Sequence, residues 1–118
     1  MHELAIMQSI TEVALAQMRS HGASRVLGIW IDAGEMRNLE ETWVNRYFLQ
    51  CAAGTPAEGA RIHVRRVPVE FRCTECSGDI PFELHVHHRH CLICPHCGSQ
   101  SYELAQGDEL AITGLQIA

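Results

Sequence analysis

Two short cysteine pairs, "CTEC" (Cys73, Cys76) and "CPHC" (Cys94, Cys97), stand seventeen residues apart in a chain of 118. No other feature of the sequence restricts the fold as much. A two-residue spacer lets both thiolates of a pair converge on one ion, and two pairs at this separation match the knuckles and loop of a zinc ribbon. Four thiolates close a tetrahedral shell and leave no position for a substrate. Metal binding then becomes folding free energy for the segment that carries the cysteines, and the site reads as structural.

Cys91 adds a second choice, because "CLICPHC" contains two overlapping pairs, Cys91 with Cys94 and Cys94 with Cys97. The second is favoured: Pro95 stiffens that knuckle, and Gly98 permits the positive φ of a tight turn. Cys91 is then a spare thiol. The same spacing also suits a redox dithiol, a disulfide pair or a rubredoxin-like iron site, which the red colour of iron–thiolate protein would reveal. "HVHHRH" (His85, His87, His88, His90) falls between the knuckles and reads as a solvated hairpin surface or a transient docking site for a borderline divalent ion. His63 reads as an exposed strand residue, and His21 as a favourable partner for a helix C-terminus.

The rest of the chain shows ordinary periodicity. Met7, Ile10, Ala14 and Met18 mark one face of a helix from residue 3 to about 20, ended at Gly22 in a left-handed conformation. "RVLGIWI" alternates as a strand, with Leu27, Ile29 and Ile31 on one face and Val26 and Trp30 on the other. Asn38 followed by Glu41 has the form of an N-cap with its reciprocal partner, predicting a helix over about 39 to 53. In that helix Val44, Phe48 and Cys51 form one stripe, and Trp43 and Tyr47 an adjacent one expected in the core. "ARIHVRRVPVEF" alternates, then changes phase around Pro68, predicting a bulge or break, and "DELAITGLQI" reads as a final strand with a similar change at Gly114.

Between about 71 and 102 lie five cysteines and five histidines, and the apolar periodicity fades, so this segment needs a source of stability other than a large core. The expected class is α+β: two helices packed on a small mixed sheet, formed by residues 1-70 plus 103-118, with a zinc-ribbon-like domain inserted at 71-102.

Charge narrows the function. The net charge of −5 and the scattered basic residues argue against a phosphate backbone as partner. No segment has the roughly 18 uninterrupted apolar residues that a membrane span needs. The start lacks a basic region followed by a long apolar run, so a cytoplasmic location is the expectation, and six cysteines there point to metal before disulfides. A catalytic zinc is disfavoured by the closed thiolate set, and neither a nucleophile motif nor a phosphate-binding glycine loop is evident. The main alternative is a zinc-ribbon nucleic-acid or transcription module, which the knuckles alone would support.

The opening "MHEL" offers a second donor set. The bulky His2 should protect Met1 from removal, leaving its amine in place. That amine, the deprotonated amide of His2 and the His2 imidazole can close fused chelate rings, a near-planar nitrogen-rich shell that suits Ni(II) or Cu(II), and Glu3 can add a further donor.

Four stretches, "MHELAIMQSI", "GASRVLGIWIDAGE", "GTPAEGARIHV" and "CPHCGSQSYELAQGDELAITGLQI", resemble the HypA/HybF family of nickel metallochaperones, in order and over essentially the full length. The resemblance implies a protein that is not an enzyme: it takes up Ni(II) at the Met1 amine, His2 and Glu3 and holds a structural Zn(II) on Cys73, Cys76, Cys94 and Cys97. It also implies work with the GTPase HypB and delivery of nickel to a hydrogenase large subunit precursor or to urease. Glu40, after "GEMRNL", stands where a carboxylate assists nickel in some relatives. Cys91 and the histidine tract are departures to which the family assigns no role. Monomer and homodimer, the latter by exchange of a strand or the insert, both remain open.

Overall fold

A computed structural model describes residues 2–82 and 92–118, with only the backbone of His2 described. Cys91 and the histidine tract, His85 to His90, lie outside the described residues, as does Met1. The elements are α1 (His2–Ser20), β1 (Val26–Gly34), a short 3-10 turn (Glu35–Arg37), α2 (Glu41–Ala52), β2 (Arg61–Val67), β3 (Glu70–Cys73), β4 (Asp79–Ile80), β5 (Tyr102–Gln106) and β6 (Leu110–Ile117). They form two three-stranded sheets, ordered β2-β1-β6 and β4-β3-β5. The class is α+β, as expected. The chain divides into two compact units: one runs from the amino terminus to Asp32 and adds Leu39–Arg65 and Leu110–Ala118; the other joins Ala33–Asn38 to Arg66–Glu109.

The first unit holds both helices. The predicted stripe of α1 is its core, with Met7, Ile10, Ala14 and Met18 all buried. Thr11 is buried among them and donates its hydroxyl to Met7 O at 2.7 Å, which removes the cost of an unpaired polar group. Gly22 (φ 70°) ends the helix as predicted: Gly22 N–H reaches Arg19 O and Ala23 N–H reaches Met18 O, both at 3.1 Å, the two bonds of a Schellman motif. His21 Nδ1 sits 2.8 Å from Gln17 O, on the last-turn carbonyls.

Four expectations for this unit are corrected: the strand residues Leu27 and Val26, the Asn38 cap, the exposure of His63, and the core placement of Trp43 and Tyr47. Leu27 is 41% exposed and Val26 is buried, although Ile29, Ile31 and Trp30 keep the predicted faces. The cause is the α2–β2 connection, which lies against Val26, with Pro56 O accepting the Val26 N–H at 3.1 Å. Asn38 does not cap α2; it takes a left-handed conformation (φ 53°) that ends the 3-10 turn, and α2 begins later, with Glu40 at its N-cap making no side-chain cap bond. Glu41, freed from a capping box, instead accepts the Val64 N–H at 3.1 Å, while Asn45 accepts Ile62 N–H at 2.8 Å and donates to Ile62 O at 2.9 Å. Side chains of α2 thus bind the backbone of β2. His63 is half-buried, stacked on Trp30 with centroids 4.7 Å apart. Beside it Arg65 Nε donates to Asp32 Oδ1 at 2.8 Å, and this guanidinium holds the Asp32 carboxyl below the usual range. Trp43 and Tyr47 are half-buried and meet edge to face.

The second unit has a core of its own. Pro68 ends β2, and after it the apolar positions Val69, Phe71 and Cys73 are buried with Ile80, Leu92 and Cys94. Phe71 is the centre, meeting Phe82 and Tyr102 edge to face at 5.0 and 5.3 Å. Strand β3 pairs antiparallel with both β4 and β5, with a register shift at Glu70/Phe71. The segment after β1 joins this unit because Gly34 crosses Gly107 with no room for a side chain: a Cβ on Gly34 would fall on the Gly107 carbonyl. Gly34 N–H then reaches Glu109 O at 2.7 Å and Met36 N–H reaches Gly107 O at 2.9 Å, which sets Met36 against the core.

Candidate metal centre

Each cysteine pair closes one knuckle, and the two knuckles repeat the same bonds. Cys73 N–H donates to Gly78 O and Cys94 N–H to Ser99 O, both at 2.9 Å, while Ser77 N–H returns to Cys73 O and Gly98 N–H to Cys94 O. The fourth residue after each leading cysteine must therefore turn left-handed. Gly98 does so freely at φ 76°, and Ser77 takes φ 60° without a glycine's freedom. The predicted turn at Gly98 is present, and its twin at Ser77 carried no sequence signal.

This geometry converges the four sulfurs of Cys73, Cys76, Cys94 and Cys97 to within 4.8 Å of one another. Cys73 Sγ lies 3.6 Å from Cys97 Sγ, and Cys76 Sγ lies 3.5 Å from Cys94 Sγ. Sulfurs at the corners of a tetrahedron with Zn–S bonds of about 2.3 Å would be about 3.8 Å apart, so the set fits a zinc ion. The S–S distance of a disulfide, about 2.0 Å, is far shorter. Backbone N–H groups of Glu75 and His96 point at Cys73 Sγ and Cys94 Sγ, each at 3.4 Å, and favour thiolates there. Cys73 and Cys94 are buried, whereas Cys76 and Cys97 face solvent.

Without a cation the four groups cannot all ionise. The backbone N–H of Cys76 and then that of Glu75 pull Cys73 down to about 7. Cys97 goes up to about 12, because the Ser99 N–H that lowers it is outweighed by its neighbour Cys73, by burial and by the other two sulfurs. One thiolate forms at the expense of the next. A divalent cation would remove that conflict, which is the chemistry this donor set supplies.

Of the amino-terminal candidates, Glu3 is exposed in the first turn of α1, and Glu40 is exposed at the N-cap of α2. Met1 and the side chain of His2 lie outside the described residues. Among the described residues, the four cysteines are the one group of three or more His, Cys, Asp or Glu placed to hold a metal ion. The aromatic core around Phe71 and the Asn45–Ile62 tether are the supporting residues that sequence reasoning missed.

Two helices on a small sheet, with a separate unit built around four convergent cysteines, define a small metal-binding protein of α+β class. Residues 1–117 match the family model described as HypA, hydrogenase/urease nickel incorporation, metallochaperone. The chain belongs to this family, whose members are metallochaperones and not enzymes. It is 32% identical over 117 residues to the hydrogenase maturation factor HybF of Salmonella typhimurium, covering 99% of both chains. It is 30% identical over 116 residues to HybF of Morganella morganii, covering 98% of both. In fold it is similar to a HypA protein solved in solution (TM-score 0.75, 18% identity, 100% of this chain and 97% of the other). The nickel metallochaperone HypA of Helicobacter pylori is similar too (TM-score 0.67, 18% identity, 98% and 96%). No helix among the described residues is long and apolar enough to cross a membrane.

Proposed function

We propose that this chain is a nickel metallochaperone that takes up Ni(II) at its amino terminus and passes it to the precursor of a nickel enzyme. The recipient in this reading is the large subunit of a NiFe hydrogenase, or the urease apparatus. The observation that carries the reading is the family match, which begins at residue 1 and describes nickel incorporation. Met1 through its amine, His2 and Glu3 are the proposed nickel donors, with Glu40 as an auxiliary carboxylate.

Physical chemistry supports such a site at this place. The first N–H groups of a helix have no intrahelical acceptor, and α1 begins at His2, so ionising that amide breaks no helical bond. The field at a helix N-terminus favours negative charge, which eases loss of the amide proton and favours the Glu3 carboxylate. Donors at a chain end can detach one at a time, so the ion can move by ligand exchange.

Zn(II) on Cys73, Cys76, Cys94 and Cys97 would hold residues 71-102 in shape, the zinc domain of this reading, while 1-70 and 103-118 form the nickel domain. Zinc there supplies fixed positive charge and structure. The GTPase HypB, a homodimeric state and a cytoplasmic location complete the reading, with no nucleic acid or membrane as partner. A calorimetric Ni(II) titration tests it, run beside a form carrying one extra glycine before Met1. Tight binding of one nickel should collapse in the extended form; equal binding by both would refute the amino-terminal site.

A further inference from the structure

The two edges of the sheet β2-β1-β6 are finished differently. At the β2 edge, Asn45 and Glu41 of α2 occupy the backbone of Ile62 and Val64. That strand also carries Arg61 and Arg66, so a second copy laid against it would set like charges together. Strand β6 has β1 on one side and no strand on the other among the described residues. Its sequence, LAITGLQI, contains no charge and no proline, the devices that ordinarily keep an edge strand from pairing.

The pattern of β6 also reads the same in both directions. Leu110, Ile112, Leu115 and Ile117 are half-buried, while Ala111, Thr113 and Gln116 are exposed. The phase shifts at the centre, where Thr113 Oγ1 donates to Trp30 O at 3.3 Å and a Cβ on Gly114 would lie 3.7 Å from the Trp30 Cβ, so both residues face one residue of β1. An antiparallel copy related by a twofold axis between Thr113 and Gly114 sets Leu110 opposite Ile117, Ile112 opposite Leu115 and Ala111 opposite Gln116. The flank of α1 extends this surface. Val13, 48% exposed, lines two grooves along β6 of about 360 and 510 Å³, and neither is lined by an aspartate, glutamate, lysine or arginine. In a chain of net charge −5, two copies meet with least repulsion on such a face.

We propose that β6 and the adjoining flank of α1 are a homodimer interface, in which the β6 strands of two copies pair antiparallel about that axis and join their sheets. Each copy then uses its open edge, the bound and basic β2 edges become the ends, and assembly stops at two. This gives the homodimer of the preceding reading its surface. The groove linings start at Ser9, so Glu3 is not among them, and association and nickel uptake can be judged separately.

The test is sedimentation velocity of the purified, zinc-loaded chain over a wide range of concentration, with two double variants at exposed positions. A111E/Q116E places glutamates opposite each other twice and should weaken dimerisation by about tenfold or more. A111K/Q116E places opposite charges together and should associate at least as strongly as the unmodified chain. A chain that stays monomeric throughout, or two variants that associate alike, would overturn the proposal.

Discussion

In the proposed reading, the four cysteines and the amino-terminal residues solve opposite problems for a metal ion. The cysteine sulfurs lie within 4.8 Å of one another, two of them buried, on knuckles whose turns are fixed by backbone bonds before any ion is considered. Glu3 and Glu40 are exposed, each at the start of a helix, with no prearranged cluster around them among the described residues. A donor set that is converged and partly buried suits retention, whereas an open set at a chain end suits release. The proposed function uses both, and the difference lies in how much of the fold each set is built into.

Removing a cysteine should have the largest effect. Cys73→Ser takes one thiolate from the set and a buried group from the core of the second unit. Zinc content is expected to fall from one per chain to near zero, with a large drop in that unit's thermal stability, because structural zinc contributes on the order of 10 kcal/mol or more to folding. Retention of zinc and of the melting temperature would break the assignment. Phe71→Ala tests whether the unit also depends on its aromatic core: a cost of about 3–5 kcal/mol is expected in chemical denaturation, with nickel uptake unchanged. A smaller loss, about 1–2 kcal/mol, is expected for Asn45→Ala in the first unit, which leaves both backbone groups of Ile62 without their side-chain partner.

The mildest test is pH. In metal-free, reduced protein, Cys73 is depressed to about 7, so its contribution to stability is present above the unfolded thiol value near 9 and lost as pH falls through 7. Cys97, raised to about 12, contributes below 9 and loses that contribution as pH rises toward 12. The stability of the metal-free unit should therefore rise from pH 7 to 9 and fall beyond it. Thermal melts under a thiol reductant would show this, and a flat profile would mean that the sulfurs do not interact as described.

How far the sequence could be read follows the same division. The cysteine spacing, the α1 stripe and Gly22 were legible because each depends on neighbours a few residues away. Asn38 misled because a left-handed turn and an N-cap favour the same residue type, and only the 3-10 turn before it decides between them. Leu27 and Val26 exchanged roles through Pro56, about thirty residues on. The alternation through Val69 and Phe71 was legible, but their partners Ile80, Phe82, Leu92 and Tyr102 are single apolar residues on separate short segments, with no period to reveal them. The Asn45–Ile62 tether left no local pattern at all.

The contrast between a retained and a released ion can be measured in one sample. Protein loaded with one zinc and one nickel is challenged with increasing chelator, and both metals are followed by native mass spectrometry. The account predicts that nickel leaves first, at low chelator, while zinc and the folded second unit remain. Loss of zinc before nickel, or of both together, would contradict it.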